Sequence, residues 1–244
     1  MTENPDLLGL MIESANADSK SEDQLNGSLK GLSKEEMSGQ GILFFIAGFD
    51  TTLSSLIHII YYLTQYPEWQ DRLYQELTEL QDEISYDTLK NLKVLNAIIN
   101  ETLRLRPPLI EFHREAKADC ELLDTGIKIP KDTLIIIQPY SIHRNAEYFP
   151  DPLEFKPERF FEKETSPENH FAFAPFGYGQ RLCVGMRFAQ NELRIGLAKF
   201  ILNYKVEAEK GLELEYYNGS ILMSAKRLPV TISERQAHGI TTPE

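Results

Sequence analysis

Cysteine is scarce in this chain: Cys120 and Cys183 are the only two among 244 residues. Two thiols so far apart in sequence make no disulfide framework, and they fit a reducing compartment. Positive charge is in deficit, with 25 Lys and Arg against 37 Asp and Glu and a net charge of −12. That balance argues against a general nucleic-acid binder. Met1 to Asn26 has neither a basic start nor an apolar run, so no secretory leader is expected. No internal repeat is visible, which excludes repeat architectures. What is present suffices for a core: 42% of the residues are hydrophobic, and the length suits one large domain or two small ones.

Long apolar runs are also rare. The one that stands out is Gly41 to Leu63, in which Asp50 is the only formal charge. Its length meets the criterion for a membrane span. A central Asp, however, costs about 2.5–3.5 kcal/mol on insertion scales, and Thr51, Thr52, Ser54, Ser55 and His58 dilute the run further. The reading adopted is the central buried helix of a large domain. Ser33 and Glu36 before it have the form of a capping box. Upstream, 6–13 reads as a short apolar helix and 14–31 as a flexible loop.

Pro67 to Gln81 reads as an amphipathic helix opened by proline, with Trp69, Leu73, Leu77 and Leu80 as its apolar stripe. A short helix is expected from Ser85 to Leu92. Lys93 to Leu105 is the next helix, and on its wheel Glu101 falls inside the apolar arc with Arg104 at the arc's edge. A carboxylate facing a core needs a charged partner, and Arg104 can reach it. Arg106-Pro107-Pro108 stops the helix. Strand candidates follow at Leu109 to Arg114, Ile127 to Ile129 and Thr133 to Ile137, the last read as buried, with a turn at Asp124-Thr125-Gly126. Pro139 to Arg144 reads as a short helix, and His143, without a second ligand at useful spacing, as a structural residue. Proline density makes 149–160 an ordered loop. The chain closes with a hairpin region from Val206 to Ser233, turning at Asn218-Gly219, and a polar tail from Glu234 expected to be disordered.

The stretch most informative about chemistry is Phe176-Gly177-Tyr178-Gly179-Gln180-Arg181-Leu182-Cys183-Val184-Gly185, followed by a long helical pattern from Val184 to Tyr204. A thiol near a helix N-terminus is pushed toward the thiolate. Gly177, Gly179 and Gly185 let the backbone turn tightly beside something bulky and flat, and Arg181 could pair with an anion. The spacing Phe-x-x-Gly-x-Arg-x-Cys-x-Gly resembles the haem-ligand loop of cytochrome P450. Three further stretches carry the same resemblance in the family's order. They are Ala47-Gly48-Phe49-Asp50-Thr51-Thr52, Glu101-x-x-Arg104 and Pro157-Glu158-Arg159-Phe160.

The resemblance, which covers roughly 33–233, implies a mainly α fold with small β-sheets, an α+β chain forming the C-terminal portion of the cytochrome P450 fold. The implied division is a flexible segment 1–32, the partial domain 33–233 and a disordered tail 234–244. It implies haem as cofactor with Cys183 as axial thiolate, and Phe176, Gly177, Gly179, Gly185, Ala47 and Gly48 lining the cofactor. Arg181 and Arg114 would bind its propionates, since Arg stays charged and grips carboxylates bidentately. It makes Thr51 the oxygen-pocket alcohol, Asp50 its acid partner, and Glu101, Arg104 and Arg159 a triad that holds the ligand loop. Pro108 to Phe112 would line the substrate side. The implied reaction is monooxygenation of a small lipophilic substrate by O2. Electrons would come from NADPH-cytochrome P450 reductase or cytochrome b5, met by the side bearing Arg187, Asn191 and Arg194. The implied setting is the cytosolic face of the endoplasmic reticulum membrane, in xenobiotic metabolism. The chain is about half the family's length, and the N-terminal half with its anchor is not in it. The alternative kept open is a truncated, non-catalytic fragment or isoform, which would leave 41–63 an exposed apolar surface.

Overall fold

A computed structural model describes residues 9–12, 33–80, 84–161 and 171–235. The expected loop at 14–31 and most of the polar tail lie outside the described residues. Backbone contacts group into two compact units, Met1–Asp50 and Thr51–Glu244, and the division falls within a helix.

Residues 9–12, within the short helix expected at the start, are helical. Helix α1 runs from Lys34 to Gln65. Ser33 opens it with a true capping box. The Glu36 amide donates to Ser33 Oγ (3.1 Å), and the Ser33 amide to Glu36 Oε2 (2.8 Å). Within the first unit, Ile42, Leu43, Phe45, Ile46 and Phe49 are exposed, and the Phe45 and Phe49 rings stack along the helix. Burial begins only at Ser54. The run 41–63 is therefore not a helix buried throughout, as the sequence suggested: only its C-terminal half is buried among the described residues. It remains long and apolar enough to cross a membrane by length and composition, as a core helix is too.

Among its described residues the second unit has five further α-helices, α2 (Pro67–Thr78), α3 (Tyr86–Lys90), α4 (Lys93–Leu105), α5 (Pro139–Ile142) and α6 (Met186–Asn203). Three two-stranded antiparallel sheets accompany them: β1 (Phe112–Glu115) with β4 (Leu134–Ile137), β2 (Cys120–Glu121) with β3 (Lys128–Ile129), and β5 (Tyr204–Glu207) with β6 (Thr231–Glu234). The fold is mainly α with small sheets, as the sequence implied. The hairpin at the end is wider than expected. Residue 204 pairs with 234, and a bridge at Tyr216–Ala225 encloses the Asn218-Gly219 turn, where Gly219 takes φ +77°. Strand β4 is not buried on both faces. Leu134 and Ile136, on one face of the β1–β4 pair, are exposed.

The core follows the helical stripes. Ile59 and Leu63 of α1, Trp69, Leu73 and Leu77 of α2, Leu95, Ile98 and Leu103 of α4, and Leu193, Leu197 and Ile201 of α6 form one buried cluster. Polar side chains tie its elements together. Gln70, buried on α2, acts as a strand neighbour to β5: its amide nitrogen donates to the Val206 carbonyl (2.9 Å), and its oxygen accepts from the Val206 amide (2.9 Å). Helix α4 has no side-chain cap of its own at Leu92. Glu76 of α2 supplies one, its two carboxylate oxygens accepting from the amides of Val94 (2.7 Å) and Leu95 (2.9 Å). An anion there also meets the positive end of the helix dipole.

His58 lies inside the core with no exposed surface. Its Nδ1–H donates to the Ser54 carbonyl (2.7 Å), and Nε2 accepts from the Tyr216 hydroxyl (3.1 Å). Burial is the main reason that its pKa falls from 6.5 to about 4.

Two outcomes follow. Glu76→Ala leaves two helix amides unpaired and is expected to lower the unfolding free energy by about 1–3 kcal/mol in urea titration. Glu76→Gln, which keeps an acceptor but no charge, is expected to lose less. The unfolded chain protonates His58 near pH 6.5 and the folded chain only near 4. Its share of stability is therefore intact above pH 6.5 and lost progressively down to pH 4, on the order of 3 kcal/mol. Urea titrations between pH 7.5 and 4 should show a weaker acid dependence for His58→Gln than for the wild type.

Candidate functional site

Helix α4 carries the buried charge that the sequence pointed to. Glu101 and Arg104 are both fully buried. A guanidinium has five N–H donors in a fixed fork, and all five of Arg104 are used. Nε donates to Glu101 Oε2 (2.7 Å), and Nη2 to Glu101 Oε1 (2.8 Å) and to the Glu154 carbonyl (3.0 Å). Nη1 donates to the carbonyls of His143 and Pro152, both at 2.7 Å. Glu101 Oε1 also accepts from the Lys156 amide (2.7 Å) and from Arg159 Nε (3.3 Å). The three residues of the expected triad are thus brought together. Arg159 holds its far end on the Asp151 carbonyl (2.7 Å). The proline-rich segment supplies these carbonyls because irregular backbone leaves them outside any sheet ladder.

The C-terminal carbonyls of α4 are covered by the residues after α5. His143 Nδ1–H donates to the Arg104 carbonyl (3.0 Å), and the Arg144 guanidinium donates to the Leu105 carbonyl while lying 3.6 Å over the Tyr140 ring. Cations suit a helix C-terminus. His143 Nε2 accepts the Ala174 amide (3.0 Å). Burial lowers the His143 pKa to about 4, so the ring is neutral near pH 7. His143 was read from the sequence as structural. Its bonds span 31 and 39 positions, so no local pattern marks it as the bridge between α4 and the segment entering the cysteine loop.

That segment turns at Ala174 to Gly177, where the Gly177 amide donates to the Ala174 carbonyl (3.1 Å) and Gly177 takes φ +76°. Gly179, at φ +71°, starts a short 3-10 turn, Gly179–Arg181. Both positions demand left-handed backbone, which glycine adopts without strain. The loop is then clasped at its neck, since the Cys183 amide donates to the Phe176 carbonyl (2.9 Å). Helix α6 starts at Met186, two residues later than the sequence suggested, and Gly185 is its cap position.

Cys183 is a free, exposed thiol. Its neighbours Leu182 and Val184 are exposed, as is Phe188 on the first turn of α6. A Cβ built on Gly179 or Gly185 would meet no atom within 4 Å. An open thiol flanked by open apolar side chains and glycines suits a broad, flat, apolar group rather than a buried structural cysteine.

The other sequence candidates lie as follows. Asp50 and Ala47 are exposed in the first unit, and Gly48 borders open space. The Thr51 carbonyl accepts the Ser55 hydroxyl (2.9 Å), a back-bond of the kind that loosens a helix. Next to it, Thr52 Oγ1 is buried without a hydrogen-bond partner among the described residues, a feature that sequence reasoning did not single out. Arg114 on β1 donates to the His113 carbonyl (2.8 Å) and lies over the Phe112 ring. Neither Arg114 nor Arg181 forms an ion pair among the described residues. Residues 108–110 are stapled to 221–223, with Met223 N–H on the Pro108 carbonyl (2.8 Å) and Ile110 N–H on the Ile221 carbonyl (3.1 Å). Of the polar stripe on α6, Arg187 is exposed, whereas Arg194 donates to Asn96 Oδ1 (2.7 Å) and so serves packing against α4.

The family model for cytochrome P450 matches residues 2–232. The chain is 37% identical to the probable cytochrome P450 6d4 of Drosophila melanogaster, over 94% of this chain and 47% of the relative. It is 35% identical to cytochrome P450 3A9 of Rattus norvegicus, over 94% of this chain and 45% of the relative. With cytochrome P450 6B2 of Helicoverpa armigera it shares 33% over 77% of this chain and 38% of the relative. The chain thus spans less than half the length of these curated relatives. The buried Glu101–Arg104–Arg159 cluster, the exposed thiol on its clasped glycine loop and these matches agree, and the chain belongs to the cytochrome P450 family.

Proposed function

We propose that this chain carries the haem-thiolate half-site of a monooxygenase that inserts one oxygen atom of O2 into a small lipophilic substrate. The observation that carries the reading is the exposed Cys183 thiol among exposed Leu182, Val184 and Phe188. Cys183 Sγ would hold the haem iron, and Phe176, Gly177, Gly179 and Gly185 would shape the surface beside it. Bound through a thiolate, haem supplies an electron-rich iron that favours O–O cleavage.

The chain's own groups then have separable tasks. Arg181 and Arg114, each without a carboxylate partner among the described residues, would take the propionates. Ala47 and Gly48, being small, would leave room for O2. Thr51 would hold a water or hydroxyl proton, and Asp50 would exchange it with solvent, since it is exposed. The segment 108–112, fixed in place by 221–223, would border the substrate. Electrons would come from NADPH through a reductase, or from cytochrome b5, at the cytosolic face of the endoplasmic reticulum. A detoxifying role is what the sequence resemblance implies. A second reading is a haem-binding chain without turnover. The exposed apolar residues of α1, an uncovered apolar surface among the described residues, favour it.

The deciding measurement is an absorption spectrum of the haem-reconstituted chain, reduced and under carbon monoxide, beside Cys183→Ser. A thiolate-type Soret band is expected in the wild type and not in the variant. A spectrum indifferent to the substitution would sink the ligand assignment. Arg181→Ala and Arg114→Ala are each expected to weaken haem binding about tenfold, the scale of one charge-assisted hydrogen bond.

A further inference from the structure

No hydrogen bond joins Cys183 to Glu101 or Arg104, yet a continuous run of bonds leads from one to the other. Arg104 and His143 grip each other reciprocally: the guanidinium donates to the His143 carbonyl (2.7 Å), and His143 Nδ1–H donates to the Arg104 carbonyl (3.0 Å). His143 Nε2 then accepts the Ala174 amide (3.0 Å). The Ala174 carbonyl accepts the Gly177 amide, and the Phe176 carbonyl accepts the Cys183 amide. A carbonyl can only accept and a backbone amide can only donate, so the two partners fix the ring as the neutral Nδ1–H tautomer. The imidazole is fully buried, and Phe149 and Phe173 lie against it at ring separations of 6.0 and 5.5 Å. It joins α4 by hydrogen bonds to the backbone that enters the loop.

We infer that His143 is a positioning residue for the Cys183 loop, setting the turn at 174–177 against α4 through Nε2. The consequence for haem rests on the proposed role of Cys183; the effect on the loop does not. Two amide substitutions separate the two ends of the ring. The Gln oxygen of His143→Gln can reach the Nε2 position and accept from Ala174. The shorter His143→Asn places its amide at the Nδ1 position, where it can serve the Arg104 carbonyl but not Ala174.

The experiment is hydrogen exchange by mass spectrometry on the full chain without cofactor, followed by the reduced carbon monoxide spectrum after reconstitution. In His143→Asn, exchange across 174–183 is expected to rise about tenfold, the loss of one buried hydrogen bond, with exchange across 97–103 unchanged. His143→Gln is expected to stay near the wild type. The thiolate-type band should fall by at least half in His143→Asn and persist in His143→Gln. Equal exchange in the two variants, or a rise shared by the whole chain, overturns the inference. So does an equal band in both variants when the wild type shows one. If the wild type shows no thiolate band, the ligand assignment fails and exchange alone decides the present point. If His143→Asn does not fold, native-state exchange of the wild type in low denaturant decides. The amides of Ala174, Gly177 and Cys183 must then open together as one unit, and independent opening overturns the inference.

Discussion

A guanidinium sealed from water makes a demand that few side chains make: five acceptors, in one plane, at hydrogen-bond distance. Arg104 meets it with one carboxylate and three carbonyls. The carboxylate comes from its own helix, one turn away. The carbonyls come from 143, 152 and 154, in a stretch that is neither helix nor sheet. The demand explains why that stretch is irregular. A carbonyl used in a ladder or a helix is aimed along it, and prolines at 150, 152 and 157 keep this stretch out of both. Such a buried pair is poor evidence for net stability, because desolvation offsets the attraction. Its geometry is nonetheless exacting, and it holds α4, the end of α5 and the segment 151–159 in one arrangement.

Burial sorts the nearby ionisable groups by what each can be offered. The five donors of Arg104 and its counter-charge are all matched. His58 and His143, equally enclosed, are each given one acceptor and one donor, which suits a neutral ring and not a cation. Burial is the main cause of the lowered pKa of both rings, and their partner sets are compatible with the neutral form.

Much of this could be read in advance, and the reason is periodicity. Glu101 at the centre of an apolar arc announced a buried ion pair, and α4 begins and ends where the pattern placed it. The cysteine loop was legible because its glycines and its thiol are local. What could not be read are the bonds that cross the chain. Glu76 capping α4, Gln70 completing β5 and His143 reaching Ala174 span from 18 to 136 positions. A single polar residue on an amphipathic helix carries no mark of such a distant partner. Composition also misled in one place. The apolar run of α1 looked like core throughout, but hydrophobicity says that a face is fit to be covered, not that the described chain covers it.

The Cys183 loop and the buried cluster on α4 differ in kind. In its proposed role Cys183 would bind something large and flat, so it could not be locked by packing around its own side chain. Its neighbours Leu182 and Val184 are exposed as well. Precision at the thiol must then come through the backbone. The backbone of 176–183 contributes the clasp at Cys183 and the turns at Gly177 and Gly179, which fix the shape of the loop but not its place on the protein. Place has to be inherited from something rigid, and the most fully satisfied polar group in the described core is the Arg104 guanidinium. A single neutral imidazole lies between the two. If the proposed role holds, the open loop and the over-determined buried charge would in that sense be one device, the loop open where its position is fixed elsewhere.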